Sequence, residues 1–320
     1  MITTADEYFH PKTDNPYWNE SGWFSLMIPE RNLCGWAYLH HRPNMNYTIG
    51  GFALWDPSGE QMADCRYYNW GDPFPITPET EMFDFRLPNG FEVNCVEPLK
   101  QFRFRNHASE CEIDLTYTAF TPAIEAGFDE AWGPDHYEQA GHMRGTIVLD
   151  GEQIAVDCVS MRDRSWGPRT VAVTGHPRSG FPWAIADENN AFLAFPIGTK
   201  PASEDPAYDE VDTLIAGWYL RDGKVGKLIS GERRCLDRGH DGRPHRTELV
   251  AVDEHGRTLE AEGTWTNWFQ WHGYSFVWQW WSLAQWKFDG HTAWGEEEEF
   301  WPLQSARKFL RSHPSIAATR

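Results

Sequence analysis

Two carboxylates and a histidine, carried on what reads as one β-hairpin, are the groups in this chain best placed to move a proton. They lie at the two ends of the segment from His136 to Arg169, in His136-Tyr137-Glu138-Gln139 and in Arg162-Asp163-Arg164-Ser165-Trp166-Gly167-Pro168-Arg169. Between them, Asp150-Gly151 separates two β-rich runs, the signature of a two-residue type I′ turn. With Leu149 opposite Glu152, the register carries Arg144 opposite Asp157, an opposite-charge pair that supports it independently. Continued outward, it sets Glu138 opposite Asp163. Directly opposed Cβ atoms are roughly 4.5–5.5 Å apart. Two carboxylates so placed repel, and in a dry site one keeps its proton to higher pH, which makes it a general acid that His136 could tune or relieve.

The facing of that pair has two solutions. Unbroken alternation puts Tyr137, Ile147, Val156 and Cys158 on an apolar face and Glu138 and Asp163 on the other. A bulge at Gly141 or Gly145 would instead set Asp163 against Gln139. The competing structural role for Asp163 is to cap the turn at Ser165-Trp166-Gly167 or to pair with Arg169.

A second set of candidates is aromatic. The stretch from Trp265 to Trp281 holds Trp268, Trp271, His272, Tyr274, Phe276, Trp278 and Trp280, and alternation places Phe276, Trp278 and Trp280 on one strand face. Such rings stabilise a carbocation through their π faces, or fill a barrel interior as ordinary core. Thirteen histidines fall into no H-x-H or H-E-x-x-H spacing, so a metal site is not indicated. Glu296 to Glu299 reads as a solvated run, although alternation between Trp294 and Phe300-Trp301 could turn two of the four inward. Neither the Gly-x-Ser-x-Gly elbow nor a P-loop occurs.

The elements that must position these residues are strands. Period-two alternation recurs in Phe83 to Leu87, Phe91 to Val96, Glu112 to Tyr117, Glu248 to Val252 and Thr258 to Glu262, with turn residues between. Helical patterns are scarce: Leu303 to Leu310 after Pro302, and a stretch near Ile124 to Ala131. The expectation is an all-β chain of many short strands, which favours closed barrels. With 320 residues and 41% hydrophobic content the chain is long enough for two domains. The boundary is expected near residue 180, with the His136 to Arg169 hairpin in residues 1–180 and a second barrel in 181–320. A net charge of −19 argues against nucleic acid and anionic membrane surfaces. No segment reads as a signal peptide or membrane span, and six dispersed cysteines suggest inert thiols in a reduced, cytoplasmic setting.

The Arg162 to Arg169 motif, preceded by His136 to Gln139 and the strand from Gly145 to Gly151, resembles the bacterial AttH-like proteins of the carotenoid 1,2-hydratase and tocopherol cyclase superfamily. The resemblance implies two lipocalin-like β-barrels side by side, with a ligand cavity at or near their interface. It further implies hydration, dehydration, cyclisation or isomerisation of apolar, often isoprenoid, substrates without a cofactor. In the carotenoid hydratases an essential aspartate follows a Tyr-x pair and a His-x-Trp lies upstream. Asp163 matches that aspartate, Met161 stands where the tyrosine would be, His136 lies roughly where the histidine would be, and Glu138 replaces the tryptophan.

The expected function is therefore an acid–base lyase or isomerase, with Asp163, Glu138 and His136 catalytic. Tyr137, Arg162, Trp166, Arg169, Trp268, His272, Trp278 and Trp280 would shape the ligand site. The expected partner is an apolar small molecule, with no integral membrane association and a homodimer left open. The alternative class is a non-catalytic carrier or sensor of apolar ligands, which needs apolar walls and few convergent ionisable groups.

Overall fold

A computed structural model describes residues 2–125, 135–169, 178–198, 211–239, 241–274 and 277–312. The chain forms two compact units, one of Met1–Ser58 with Cys65–Thr170 and one of Gly59–Asp64 with Val171–Arg320. Each is built on antiparallel sheet, and together with the short helix at the end of the described chain they have the double lipocalin-like fold.

The first unit is a curled half-barrel. Its strands run in the order Tyr67–Tyr68, Tyr47–Trp55, Leu33–Arg42, Trp18–Ile28, Glu152–Pro168, Asp135–Leu149, Cys111–Ala119, Gln101–His107, Phe91–Glu97 and Asp84–Arg86. One face supplies a core that includes Phe24, Leu39, Phe52, Phe91, Phe104 and Tyr117. The outer strands show the expected alternation, as in Cys111–Ala119. The central ones do not: Trp18–Ile28 and Leu33–Arg42 are buried at every position, so both faces of the sheet are withdrawn from solvent there. Ile124–Glu125, where a helix was expected, pair instead with Tyr137 and Glu138; the rest of that stretch lies outside the described residues.

The second unit is a closed barrel of eight strands. Trp183–Asp187, Asn190–Gly198, Val211–Arg221, Lys224–Arg238, Pro244–Asp253, Thr258–Trp265, Val277–Phe288 and His291–Pro302 follow one another, and the last pairs back with the first. The segment Gly59–Asp64 is tied into this unit: Gln270 N donates to Glu60 O, and Arg243 holds the Glu60 carboxylate with two hydrogen bonds of 2.7 Å. The helix Leu303–Ser312 follows the last strand, as its pattern predicts. No described helix is long and apolar enough to cross a membrane.

The glutamate run corrects the expectation of a solvated surface: Glu296, Glu297, Glu298 and Glu299 are all buried. Alternation divides them. Glu297 and Glu299 meet Arg233 at 2.7 and 2.9 Å, and Glu299 also meets Arg238 at 2.6 Å. On the other face, Trp281 Nε1 donates to Glu296 and Gln279 Nε2 to Glu298. Burial is tolerated because every carboxylate has a donor.

In the hairpin, the register runs unbroken from Leu149↔Glu152 to Asp135↔Trp166, with no bulge. Gly145, at φ +146, serves close approach instead: a Cβ there would lie 2.0 Å from Asp114 O. Arg144 Nε lies 3.0 Å from Asp157 Oδ1, both exposed. The opposite holds for Arg162, whose guanidinium donates two bonds of 2.8 Å to Glu7 while both side chains are fully buried. Glu7→Ala should therefore cost about 3–5 kcal/mol in urea unfolding, because it leaves a buried arginine uncompensated. Arg144→Ala should leave the unfolding midpoint almost unmoved, and equal losses in the two variants would contradict this assignment.

Candidate functional site

The site begins with the two arginines flanking Asp163. Arg162 and Arg164 project from one face of Glu152–Pro168, where Arg162 takes Glu7 and Arg164 donates to Glu20 at 2.5 Å. Arg162 also lies over the Phe102 ring at 4.3 Å and donates to the Tyr137 hydroxyl at 3.0 Å. Alternation then commits Asp163 to the other face, together with Glu138, its partner across the strand pair.

On that second face the sheet register lays out rows of side chains across neighbouring strands. Glu138, Asp163, Trp23 and Tyr38 form one row. On one side of it lies the row His136, Ser165, Ser21 and His40; on the other, the row Ala140, Met161, with Ser25, Trp36, Ala53 and Tyr68 continuing outward. Trp70 stacks on Tyr38 at 5.4 Å and meets Trp36 and His40 edge-on at 6.4 and 5.6 Å. Gly51, opposite Tyr38, leaves room for this: a Cβ there would meet the Trp70 backbone at 2.8 Å. The acid pair thus sits beside an aromatic wall.

His136 Nε2 lies 2.5 Å from Glu138 Oε1. Burial works against the charged imidazole, but the Glu138 carboxylate, the bond to it and the charge of Asp163 override burial and raise the His136 pKa. Asp163 is also raised, and burial is the main cause; the charges of His136, Arg169 and Arg162 and the Trp23 backbone N–H oppose it without cancelling it. Asp163 Oδ1 is buried and accepts no hydrogen bond among the described residues. The difference from the sequence expectation is one of cause: burial lifts Asp163, while the charge of Glu138 is engaged by His136. The arrangement offers a half-buried proton donor, a carboxylate held by an imidazole, and aromatic faces beside them.

The other expected site residues are placed differently. Arg169 joins the Asp163 face, where its Nη2 donates to Ser165 Oγ at 2.8 Å. Tyr137, Arg162 and Trp166 project from the opposite face; Trp166 stacks on His10 at 4.0 Å and packs with Tyr137 and Trp18. Trp268, His272, Trp278 and Trp280 belong to the second unit. There Trp278 and Trp280 pack with Trp265, Trp301 and Phe309 as core, Trp268 Nε1 donates to Pro244 O, and burial lowers the His272 pKa. Phe276 lies outside the described residues.

Sequence reasoning missed Trp23, Trp36, Tyr38, His40, Arg42 and Trp70. A signal was present: in Trp36-Ala37-Tyr38-Leu39-His40-His41-Arg42, the even positions form an aromatic and cationic set while Ala37 and Leu39 are apolar.

A family model described as a domain of unknown function (DUF7064) matches residues 3–302. No curated protein matches the chain significantly by sequence. Among solved structures, a crystal structure designated AttH from Nitrosomonas europaea is 17% identical, with a TM-score of 0.65 over 94% of this chain and 96% of that one. Kievitone hydratase from Nectria haematococca is 14% identical, with a TM-score of 0.58 over 94% of this chain and 93% of its own. CghA, solved with Sch210972, is 10% identical, with a TM-score of 0.51 over 89% and 88%. At these identities the likeness establishes the fold.

A pH-dependent signature follows from Asp163. Its folded pKa is raised, so the stability it contributes is complete below the ordinary aspartate value and is lost as pH rises through the folded value. Asp163→Asn removes that loss. In thermal unfolding across an acid-to-alkaline series, the melting temperature of the variant should gain on the wild type as pH rises, and a difference independent of pH would contradict a raised Asp163.

Proposed function

We propose that this chain, which belongs to the DUF7064 family, is an enzyme of general acid–base type that hydrates, dehydrates, isomerises or cyclises an apolar small molecule. The observation that carries this is Asp163: a carboxyl raised by burial, with a buried oxygen open to a new hydrogen bond, in one row with Glu138, Trp23 and Tyr38. Kievitone hydratase, which shares the fold and is named for a hydration, is consistent with chemistry of this kind.

In this account Asp163 gives its proton to the substrate, at an unsaturated carbon or at a departing hydroxyl. Positive charge developing beside it faces the rings of Trp23 and Tyr38, where a desolvated cation gains ~2 kcal/mol or more per contact. Glu138, held by His136, takes the proton released when water adds or a neighbouring C–H bond breaks; Glu138 then releases that proton to solvent while Asp163 is reprotonated from solvent, which restores both groups. Proton transfer from a positioned acid supplies roughly 10²–10⁴-fold in rate, with the rest from orientation and exclusion of water. Because Asp163 acts in its neutral form, activity is retained below its raised pKa and falls as pH rises through it.

The test is a panel of apolar alkenes, tertiary alcohols and enones, scored for binding by native mass spectrometry and for turnover by product analysis in deuterated water. Wild type should transform at least one binder with deuterium incorporated. Asp163→Asn should bind it comparably and turn it over about 10²–10⁴-fold more slowly. Binders that neither protein transforms or labels would overturn the catalytic account in favour of a carrier.

A further inference from the structure

The barrel of the second unit holds a buried ionic cluster at the seam where its wall closes. His291–Pro302 completes the ring by pairing Glu296 with Trp183, Gly295 with Ala184 and Trp294 with Ile185. The same register resumes at Gly180↔Glu299, with the facing strand broken between Gly180 and Trp183. Glu297 and Glu298 lie across from that break, where Phe181 N donates to Glu298 O at 3.0 Å. Alternation turns Glu297 and Glu299 to the same face, and both meet Arg233.

Arg233 is divided among three carboxylates. Its Nε meets Glu297 Oε1 at 2.7 Å, and its Nη1 meets Asp212 Oδ2 and Glu299 Oε2, each at 2.9 Å. A Cβ at Gly180 would sit 3.7 Å from Arg233 Nε, which places this guanidinium against the seam. Arg178 Nη2 donates to Asp212 Oδ1 at 2.6 Å, and Arg238 holds the Glu299 carboxylate with bonds of 2.6 and 3.1 Å. Asp212, Arg233, Glu297 and Glu299 are all fully buried.

The two glutamates of the closing strand are served unequally. Glu299 takes Arg238, a share of Arg233 and the Trp301 indole N–H. Burial works to raise it, but the charges of Arg238, Arg233 and Arg178 override burial and hold it well below the usual carboxylate range. Glu297 has a share of Arg233 and the Thr247 hydroxyl, which donates to it at 3.1 Å. Burial pushes its carboxyl up to about 7, the charge of Glu299 adds to the rise, and Arg233 and Thr247 oppose it. Cys235, on the strand of Arg233 and Arg238, has a thiol raised by burial. The neighbours from Pro244–Asp253 and Val277–Phe288 are Thr247 and Ser282, both uncharged.

We propose that Glu297 is a proton-operated latch on this seam: as a neutral acid it leaves the ring of strands closed, and as a carboxylate it loosens the pairing of His291–Pro302 with Trp183–Asp187. The ionised group competes with Asp212 and Glu299 for Arg233 while desolvated, and opening the seam to water relieves it. Because the folded value lies above the ordinary glutamate value of 4.5, the stability Glu297 contributes is complete below that value and is lost as pH rises through about 7. The opening equilibrium of the seam should therefore rise about tenfold between about pH 6 and about pH 8. The latch lies in the second unit and is independent of Asp163.

The test is amide hydrogen exchange followed by mass spectrometry, in the regime where exchange reports the opening equilibrium and with the intrinsic pH dependence of exchange removed. Wild-type peptides from Trp183–Asp187 and His291–Pro302 should lose about tenfold in protection over that interval. Glu297→Gln should abolish the loss, whereas Asp163→Asn should keep it, which separates the latch from the Asp163 titration. Thr247→Val removes a hydrogen bond that favours the carboxylate, so it should move the loss to higher pH, and it decides the matter should Glu297→Gln not fold. Seam protection that is independent of pH in wild type, a loss that persists in Glu297→Gln, or one unmoved by Thr247→Val would overturn the proposal. Absence of turnover by any protein counts against the acid–base account alone and leaves these outcomes unchanged.

Discussion

Two buried arginines with their carboxylates set the direction of everything at the site. Arg162 is locked to Glu7 and Arg164 to Glu20 on one face of a strand, so the residue between them has no choice of face. Removing either carboxylate would leave a desolvated guanidinium, which makes this arrangement hard to rotate or slip. A one-residue slip would exchange the two faces, burying Asp163 against Phe24 and Phe102 and expelling both arginines from their partners. The stability of the half-barrel and the facing of its acid are thus one constraint.

Given that facing, the chemistry is a matter of surroundings. The central strands are buried on both sides, and the second face is lined by tryptophan, tyrosine, serine and histidine rather than by aliphatic side chains. Such a lining removes water yet leaves hydrogen-bonding positions. Burial lifts Asp163, proximity to Glu138 lifts His136, and burial with two arginine charges depresses His40. Three ionisable groups on one sheet face are pushed in different directions, which is how a single surface comes to hold a proton donor, a charged pair and a neutral ring.

Much of this was legible in the sequence because it is local. Asp150-Gly151 names its turn, the turn names the register, and the register alone brings Glu138 to Asp163. Alternation and the absence of long amphipathic patterns give an all-β chain, and the Arg162 to Arg169 motif carries the family resemblance. What was not legible is long-range. Glu7 lies 155 positions from Arg162, and no spacing rule joins them. Trp23, Tyr38 and Arg42 reach the site through strand order, which the pattern of a single strand does not encode. The glutamates from 296 to 299 look solvated until Arg233 and Arg238 are brought across the barrel. Strand order likewise brings Tyr137 and Trp166 together with Trp18 on the arginine face.

The account stands on Asp163 holding its proton above the ordinary aspartate value of 3.8 in the folded protein. The direct measurement is a carbon-13 NMR titration of aspartate carboxyl groups, with the Asp163 signal assigned by its absence in Asp163→Asn. The account predicts one aspartate that titrates above all the exposed ones and whose signal disappears in the variant. An Asp163 carboxyl that titrates at or below the ordinary value would contradict it.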